Sequence, residues 1–394
     1  MSMSTPEQST AVNPVHLLAY PFRIFFLSLA VLAVMVIPLW IATLARDFTL
    51  PLAMPALYWH QHELVFALLN AAIAGFLLTA VCVWTGTQRT HGLPLFGLWL
   101  VWLLGRVAIT FGEPWPEWLV QGINLAFLPL VMLDAGLRVW RARQSRQIMI
   151  LVVLALLWAM QIGFLRHPQG SFAEGALLMA ATLMLIIGGR ITPNFSMGWL
   201  RAQGRSTQGI TTLPWLEKTV PGGMLATFIA TVGNAPGPLL GVIAGLTGIL
   251  VLIRIVLWRG WRVREEPLLW ILHLSLLWIP VGLGLLAGAQ AGWWATTVWI
   301  HAIAVGAMGG LILGVISRVV LGHTGRALTL PRGMVSAFVL IHLGAVTRVV
   351  SGLGWLPWQT GMNLSALCWA LAFGLFVLRY TAMLMRPRVD GKPG

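Results

Sequence analysis

Apolar residues in this chain come in long unbroken blocks separated by short polar breaks, with no period-2 alternation and no polar stripe of the kind a surface helix carries. Blocks of about 17 to 25 residues are long enough, as α-helices, to cross a hydrocarbon layer about 30 Å thick. The pattern predicts twelve spans, over 24–45, 58–83, 94–111, 117–137, 147–165, 173–189, 219–233, 237–258, 267–288, 295–317, 333–350 and 361–384. The seventh and eighth are parted only by the turn residues "GNAPGP", Gly233 to Pro238. The expected fold is therefore all-α, a polytopic membrane helical bundle of about 12 transmembrane helices. Its expected parts are a polar leader over 1–20, one transmembrane domain over 21–385 and a cytoplasmic tail over 386–394. The leader lacks the apolar core and small-residue cleavage site of a secretory signal and is read as retained. The longest polar interruption, Gly188 to Lys218, divides the spans six and six.

Composition supports this reading: of 394 residues, 58% are hydrophobic and 9% charged, which leaves little chain for a soluble domain. A net charge of +14 would suggest nucleic acid in a soluble protein. Here topology explains it. Of 25 Lys and Arg, all but Arg46, Arg106, Arg166 and Arg348 fall in or beside segments that twelve spans place on one side. The positive-inside bias then predicts both termini in the cytoplasm, the lipid bilayer as partner and no nucleic acid. Cys82 and Cys368 each lie within an apolar span and read as small packing residues rather than a disulfide or zinc pair.

Ionisable groups inside spans are candidate site residues, because burying them in lipid is costly. His60 and His62, in "YWHQHELVF", open the second span on the outer side, and His301 lies a turn or two into the tenth from the same side. His273 sits near the inner end of the ninth span, His342 near mid-depth in the eleventh, and His323 in an inner loop. A helix rises about 1.5 Å per residue, so His301 and His323 are separated by about 33 Å and cannot share a metal. His60, His62 and His301 are at one depth on two helices, where axial ligands of a haem or ligands of a copper could meet. On a regular helix His60 and His62 diverge by about 200°, so both bind one metal only if the helix begins in a loose turn. Otherwise they serve different partners, with Glu63 placed to orient His60. Arg106 and Arg348 approach the same outer level and could pair with haem propionates, or simply extend to the interface.

"WHQHELVFALLNAAIAGFLLTAVCVWTG", "IIGGRITPNF", "WRGWRVREEPLLWILHLSLLWIPVGL" and "HAIAVGAMGGLILGVISRVVLGHTGR" together resemble the NnrS family, in order and over nearly the whole chain. The resemblance implies a bacterial inner-membrane protein carrying haem and copper, with a part in the response to nitric oxide and nitrosative stress, often beside denitrification. It places the family's WHxHE motif on Trp59, His60, His62 and Glu63, further histidines on His273 and His301, and its GHTGR motif on Gly322 to Arg326. "LVF" and "CVWTG" stand where "MLFG" and "PNWTG" are usual, which removes an asparagine. A weaker similarity links the placement of His60 or His62 and His301 to the catalytic subunits of haem–copper oxidases and nitric oxide reductases. The sixth and seventh spans carry no histidine, so the copper ligands of that superfamily are missing.

The leading expectation is a haem protein, with copper also implied, that binds nitric oxide or limits its capture by cellular iron. His60 or His62 with His301 would hold haem, while His273 and His342 would form an inner metal site. A transporter of a metal, haem or iron–nitrosyl species is the second class, and a respiratory electron carrier or reductase-like enzyme, with its own electron donor, the third. No acid, base and metal arrangement in the sequence is definite enough to name a reaction.

Overall fold

Proline marks where the helices begin. Pro21, Pro214 and Pro267 occupy first-turn positions and Pro55, Pro116, Pro236 and Pro357 directly precede helices, where a missing N–H leaves no hydrogen bond unmade. The computed structural model describes residues 12–45 and 49–392; most of the leader, with Arg46, lies outside them. Twelve long helices occupy the described residues: α1 Pro21–Leu44, α2 Ala56–Thr85, α3 Gly92–Phe111, α4 Glu117–Arg141, α5 Ser145–Arg166, α6 Phe172–Ala202, α7 Pro214–Val232, α8 Gly237–Val256, α9 Pro267–Gln290, α10 Val298–His323, α11 Met334–Gly352 and α12 Trp358–Leu384.

Eleven of these are long and apolar enough to cross a membrane. The exception is α7, which carries Glu217, Lys218 and Pro221. It packs between α6 and α8, and the Glu217 carboxylate receives two hydrogen bonds from Arg254 of α8, at 2.8 and 2.5 Å. Pairing the charge in this way lowers the penalty of holding it among helices.

The expected polar interruption after the sixth span is much shorter than the sequence suggests. Helix α6 continues through "GGRITPNF" to Ala202, despite Pro193. There the Ser196 hydroxyl donates to Thr192 O (2.9 Å) and the Asn194 amide to Arg190 O (2.6 Å), so local polar side chains cover the backbone near the proline.

The first and last described segments meet on one side of the bundle. The Asn13 N–H donates to Met385 O at 2.8 Å, and the buried Arg23 guanidinium donates to Leu384 O and Arg386 O at 2.6 and 2.7 Å. We call this the terminal side and the opposite one the far side. Helix α1 packs against both α2 and α12, which brings the start and end of the chain together. Helices α2, α6 and α10 form the centre, with 78, 72 and 72% of their apolar windows buried, whereas α3, at 28%, is peripheral.

Candidate functional site

The two central helices α2 and α10 share an irregularity. Each begins as a regular α-helix and then widens into a π-helical turn, over Glu63–Leu68 in α2 and over Ala302–Gly309 in α10. In each case a candidate histidine immediately precedes the wide turn: His62 in the first and His301 in the second. Such turns insert an extra residue per turn and recur at functional sites. In α10 the cause is visible in "AIAVGAMGG". A Cβ on Gly306 would overlap the Trp278 indole, and one on Gly309 would meet Trp369 at 2.5 Å, so only glycine lets the widened helix sit this close to its neighbours.

His60 and His301 face one cavity of about 290 Å³ on the far side. Its walls are largely aliphatic and aromatic, from α1, α2, α10 and α12, and Arg348 of α11 enters it. Trp40 stacks on the His60 ring, with centroids 3.9 Å apart and planes 15° from parallel. The His60 Nδ1 atom is buried and has no hydrogen-bond partner among the described residues. The sulfurs of Met308 and Met362 belong to side chains that line the same space.

His62 turns away from this cavity. The helix is regular from Ala56 to His62, so the divergence of about 200° between His60 and His62 holds. His62 is fully buried; its Nδ1 lies 3.1 Å from Glu63 Oε1 and its Nε2 3.4 Å from the Gln161 amide of α5. Glu63 therefore contacts His62 rather than His60, which corrects the expected pairing. Its other partner is Arg106 of α3, with Nε at 2.9–3.0 Å from the two carboxylate oxygens. Arg106 also donates to Asn124 Oδ1 of α4 at 2.8 Å, and the Asn124 amide closes on Val120 O. The result is a relay across four helices, His62–Glu63–Arg106–Asn124 with Gln161. Arg106, expected beside a propionate, is held by this carboxylate and does not line the cavity.

The remaining candidates are dispersed. His273 of α9 bonds through Nε2 to Ser196 Oγ of α6 at 2.9 Å, and its Nδ1 is buried without a partner. His342 of α11 accepts from the Trp278 indole at 3.1 Å. These two histidines take separate partners, Ser196 on α6 and Trp278 on α9. His323 lies on the terminal side, lining a polar cavity of about 470 Å³ with Tyr20, Arg89 and His91. Among the described residues no three His, Cys, Asp or Glu side chains are grouped closely enough to hold a metal by themselves. Sequence reasoning missed Trp40, the π-helical turns, Asn124 and Gln161; only the glycine and alanine run after His301 hinted at any of them.

Compared with known families, residues 16–388 match the model described as "NnrS protein", nearly the full length. No curated protein matches the chain.

Proposed function

The chain belongs to the NnrS family, and from that premise we propose that it is a haem protein of the bacterial inner membrane that protects against nitric oxide by binding it. The observation that carries this reading is the shared far-side cavity: two imidazoles from helices far apart in sequence, and one arginine, in largely apolar surroundings.

The donor set fits a haem better than a bare ion. Two imidazoles are few strong donors for a bare ion held by protein alone, whereas a macrocycle would bring most of its own donors and ask little of the chain. Arg348 would repel a free metal cation, but its guanidinium suits a propionate carboxylate. His60 and His301 are the residues that would hold the haem, and Trp40 would fix the His60 ring plane. When bound, the haem supplies iron able to take up nitric oxide. The chain's part is to exclude water, hold both imidazoles in place behind largely apolar walls, and admit a small uncharged gas from the lipid.

One observation favours copper as a second occupant class. Met308 and Met362 line the cavity together with the two imidazoles, and thioethers suit copper(I).

Metal analysis and a pyridine haemochrome assay on detergent-purified protein, made with ample haem supply, separate the two. Haem near one per chain is expected; copper without haem would transfer the site to the second reading. His301→Ala should abolish or shift the Soret band while the helical circular dichroism stays unchanged. An unaltered Soret band in this variant removes His301 from the site. Loss of nitric oxide measured at an electrode, with a reductant present, then tells binding from turnover. By the positive-inside bias, the terminal side faces the cytoplasm and the cavity opens toward the periplasm.

A further inference from the structure

At the opposite end of the bundle from the histidine cavity, arginine is concentrated with few anions to match it. Arg23 on the first turn of α1 has no exposed surface. One of its terminal nitrogens donates to carbonyls at the end of α12, but Nε and Nη2 have no partner among the described residues. The charged neighbours acting on it are Arg326, Arg388 and Arg89, all cations. Arg326, the last residue of "GHTGR", also has a buried Nη1 atom without a partner.

The carboxylates of this region are already engaged. Asp390 takes two hydrogen bonds from Arg388, at 2.9 and 2.6 Å, and Asp134 is paired with Arg138 at 3.0 Å. The loop geometry is built for this packing. Gly325 has φ +75° and lies against the Asp390 carboxylate, where a Cβ would come within 2.8 Å of it. The Val389 N–H donates to Thr324 O and Arg388 Nη1 to His323 O, which folds the tail over the loop. Beside this assembly is the 470 Å³ polar cavity, whose lining includes Tyr20, Arg89 and His323. Its lining carries one guanidinium, two imidazoles, a phenol and a thiol, and no carboxylate.

Buried guanidinium donors without acceptors carry a large desolvation penalty that an anion in reach would offset. From this we infer that the terminal end of the bundle is a binding site for a phosphoryl oxyanion, held by Arg23 and Arg326 beside the "GHTGR" loop. A tetrahedral, multiply charged group matches donors arriving from two directions better than a single planar carboxylate does. The group can arrive as the headgroup of an anionic phospholipid or as free phosphate. On this reading His323 lines an anion site and ligates no metal.

The test uses full-length protein purified in phosphate-free buffer. Thermal unfolding is followed while inorganic phosphate replaces chloride at constant ionic strength, and native mass spectrometry looks for a retained phospholipid. Two results support the site and identify the source. If delipidated protein is stabilised by phosphate, the ligand is the free anion. If phosphate is without effect but phosphatidylglycerol is retained and stabilises, the ligand is the headgroup. Arg326→Gln should bind the effective ligand about tenfold more weakly, the loss expected for one charge-assisted hydrogen bond. Arg23→Lys keeps the charge but not the forked geometry, and should weaken binding even if a neutral replacement fails to fold. Neither ligand binding the wild type, or both variants binding as the wild type does, overturns the inference.

Discussion

The two faces of α2 near its far-side end hold similar residue types in opposite states. On one face His62 and Glu63 enter a relay with Arg106, Asn124 and Gln161 in which the imidazole nitrogens and the carboxylate oxygens all have partners and only Gln161 Oε1 is left without one. On the other, His60 has a buried ring nitrogen without a partner and looks across an apolar cavity at His301 and Arg348. Buried polar groups are normally satisfied by the fold. A network of partnered groups holds helices in register; an unpartnered imidazole facing a largely apolar cavity is where a ligand would complete the structure. On the function proposed above, the contrast gives architecture to His62 and binding to His60, although the two are separated by one residue.

The largest effect should come from breaking the satisfied face. Glu63→Ala strands the Arg106 guanidinium inside the bundle, and removing one partner of a buried ion pair costs about 3–5 kcal/mol. The expected outcome is a sharp fall in melting temperature and in yield of folded protein. A variant as stable as wild type would show that the relay is ornamental. Glu63→Gln, which keeps the volume and some of the hydrogen bonds, should fall between.

The shape of the cavity should be more sensitive to α10 than its polar residues suggest. Gly306→Val drives two methyl groups and a Cβ into the Trp278 indole, and overpacking of this kind costs about 1–3 kcal/mol. Because Trp278 also donates to His342, the strain should spread toward α11. Relief by a second change, Trp278→Phe, measured as recovery of melting temperature in the double variant, checks that the clash is the cause.

Arg348→Gln is a smaller, selective change on the unsatisfied face. It should leave stability of the protein without ligand nearly intact and weaken haem retention about tenfold, the magnitude of one lost charge-assisted hydrogen bond. Haem transfer to apomyoglobin gives the rate. Equal transfer rates in variant and wild type would detach Arg348 from the propionates.

How much of this could be read from the chain depends on which interaction carried the information. Helix type and the number of long helices were legible because burial in lipid writes itself as uninterrupted apolar blocks, but the seventh expected span, over 219–233, falls on α7, which is not among the eleven helices apolar enough to cross. The split between His60 and His62 was legible because it follows from helix geometry alone. Which partner Glu63 takes was not, since that depends on Arg106 and Gln161 arriving from α3 and α5 at the same height. The end of α6 was misjudged for a related reason. "GGRITPNF" reads as a loop by its glycines and proline, yet Arg190 reaches Gln147 at 3.0 Å and Ser196 bonds His273, so tertiary contacts override local preference. The inner metal site expected of His273 and His342 rested on their being histidines within spans, and position along a span says nothing about which face a side chain takes.

The smallest effect is predicted at the terminal side, where Asp390 and Arg388 pair at the water boundary. Arg388 holds the Asp390 carboxyl down to about 2, mainly through the hydrogen bonds it donates. A carboxyl whose folded value is depressed contributes stability above its ordinary value near 3.8 and loses it as pH falls through the folded value. The pair is therefore fully charged across the range where the protein is handled. Melting temperature should show no step assignable to Asp390 between about pH 5 and 8, and exposed pairs of this kind contribute little. Asp390→Asn should lower the melting temperature slightly and by the same amount at pH 5 and pH 8. An effect that grows between those values would mean that Asp390 titrates there, and that Arg388 is spent on another anion.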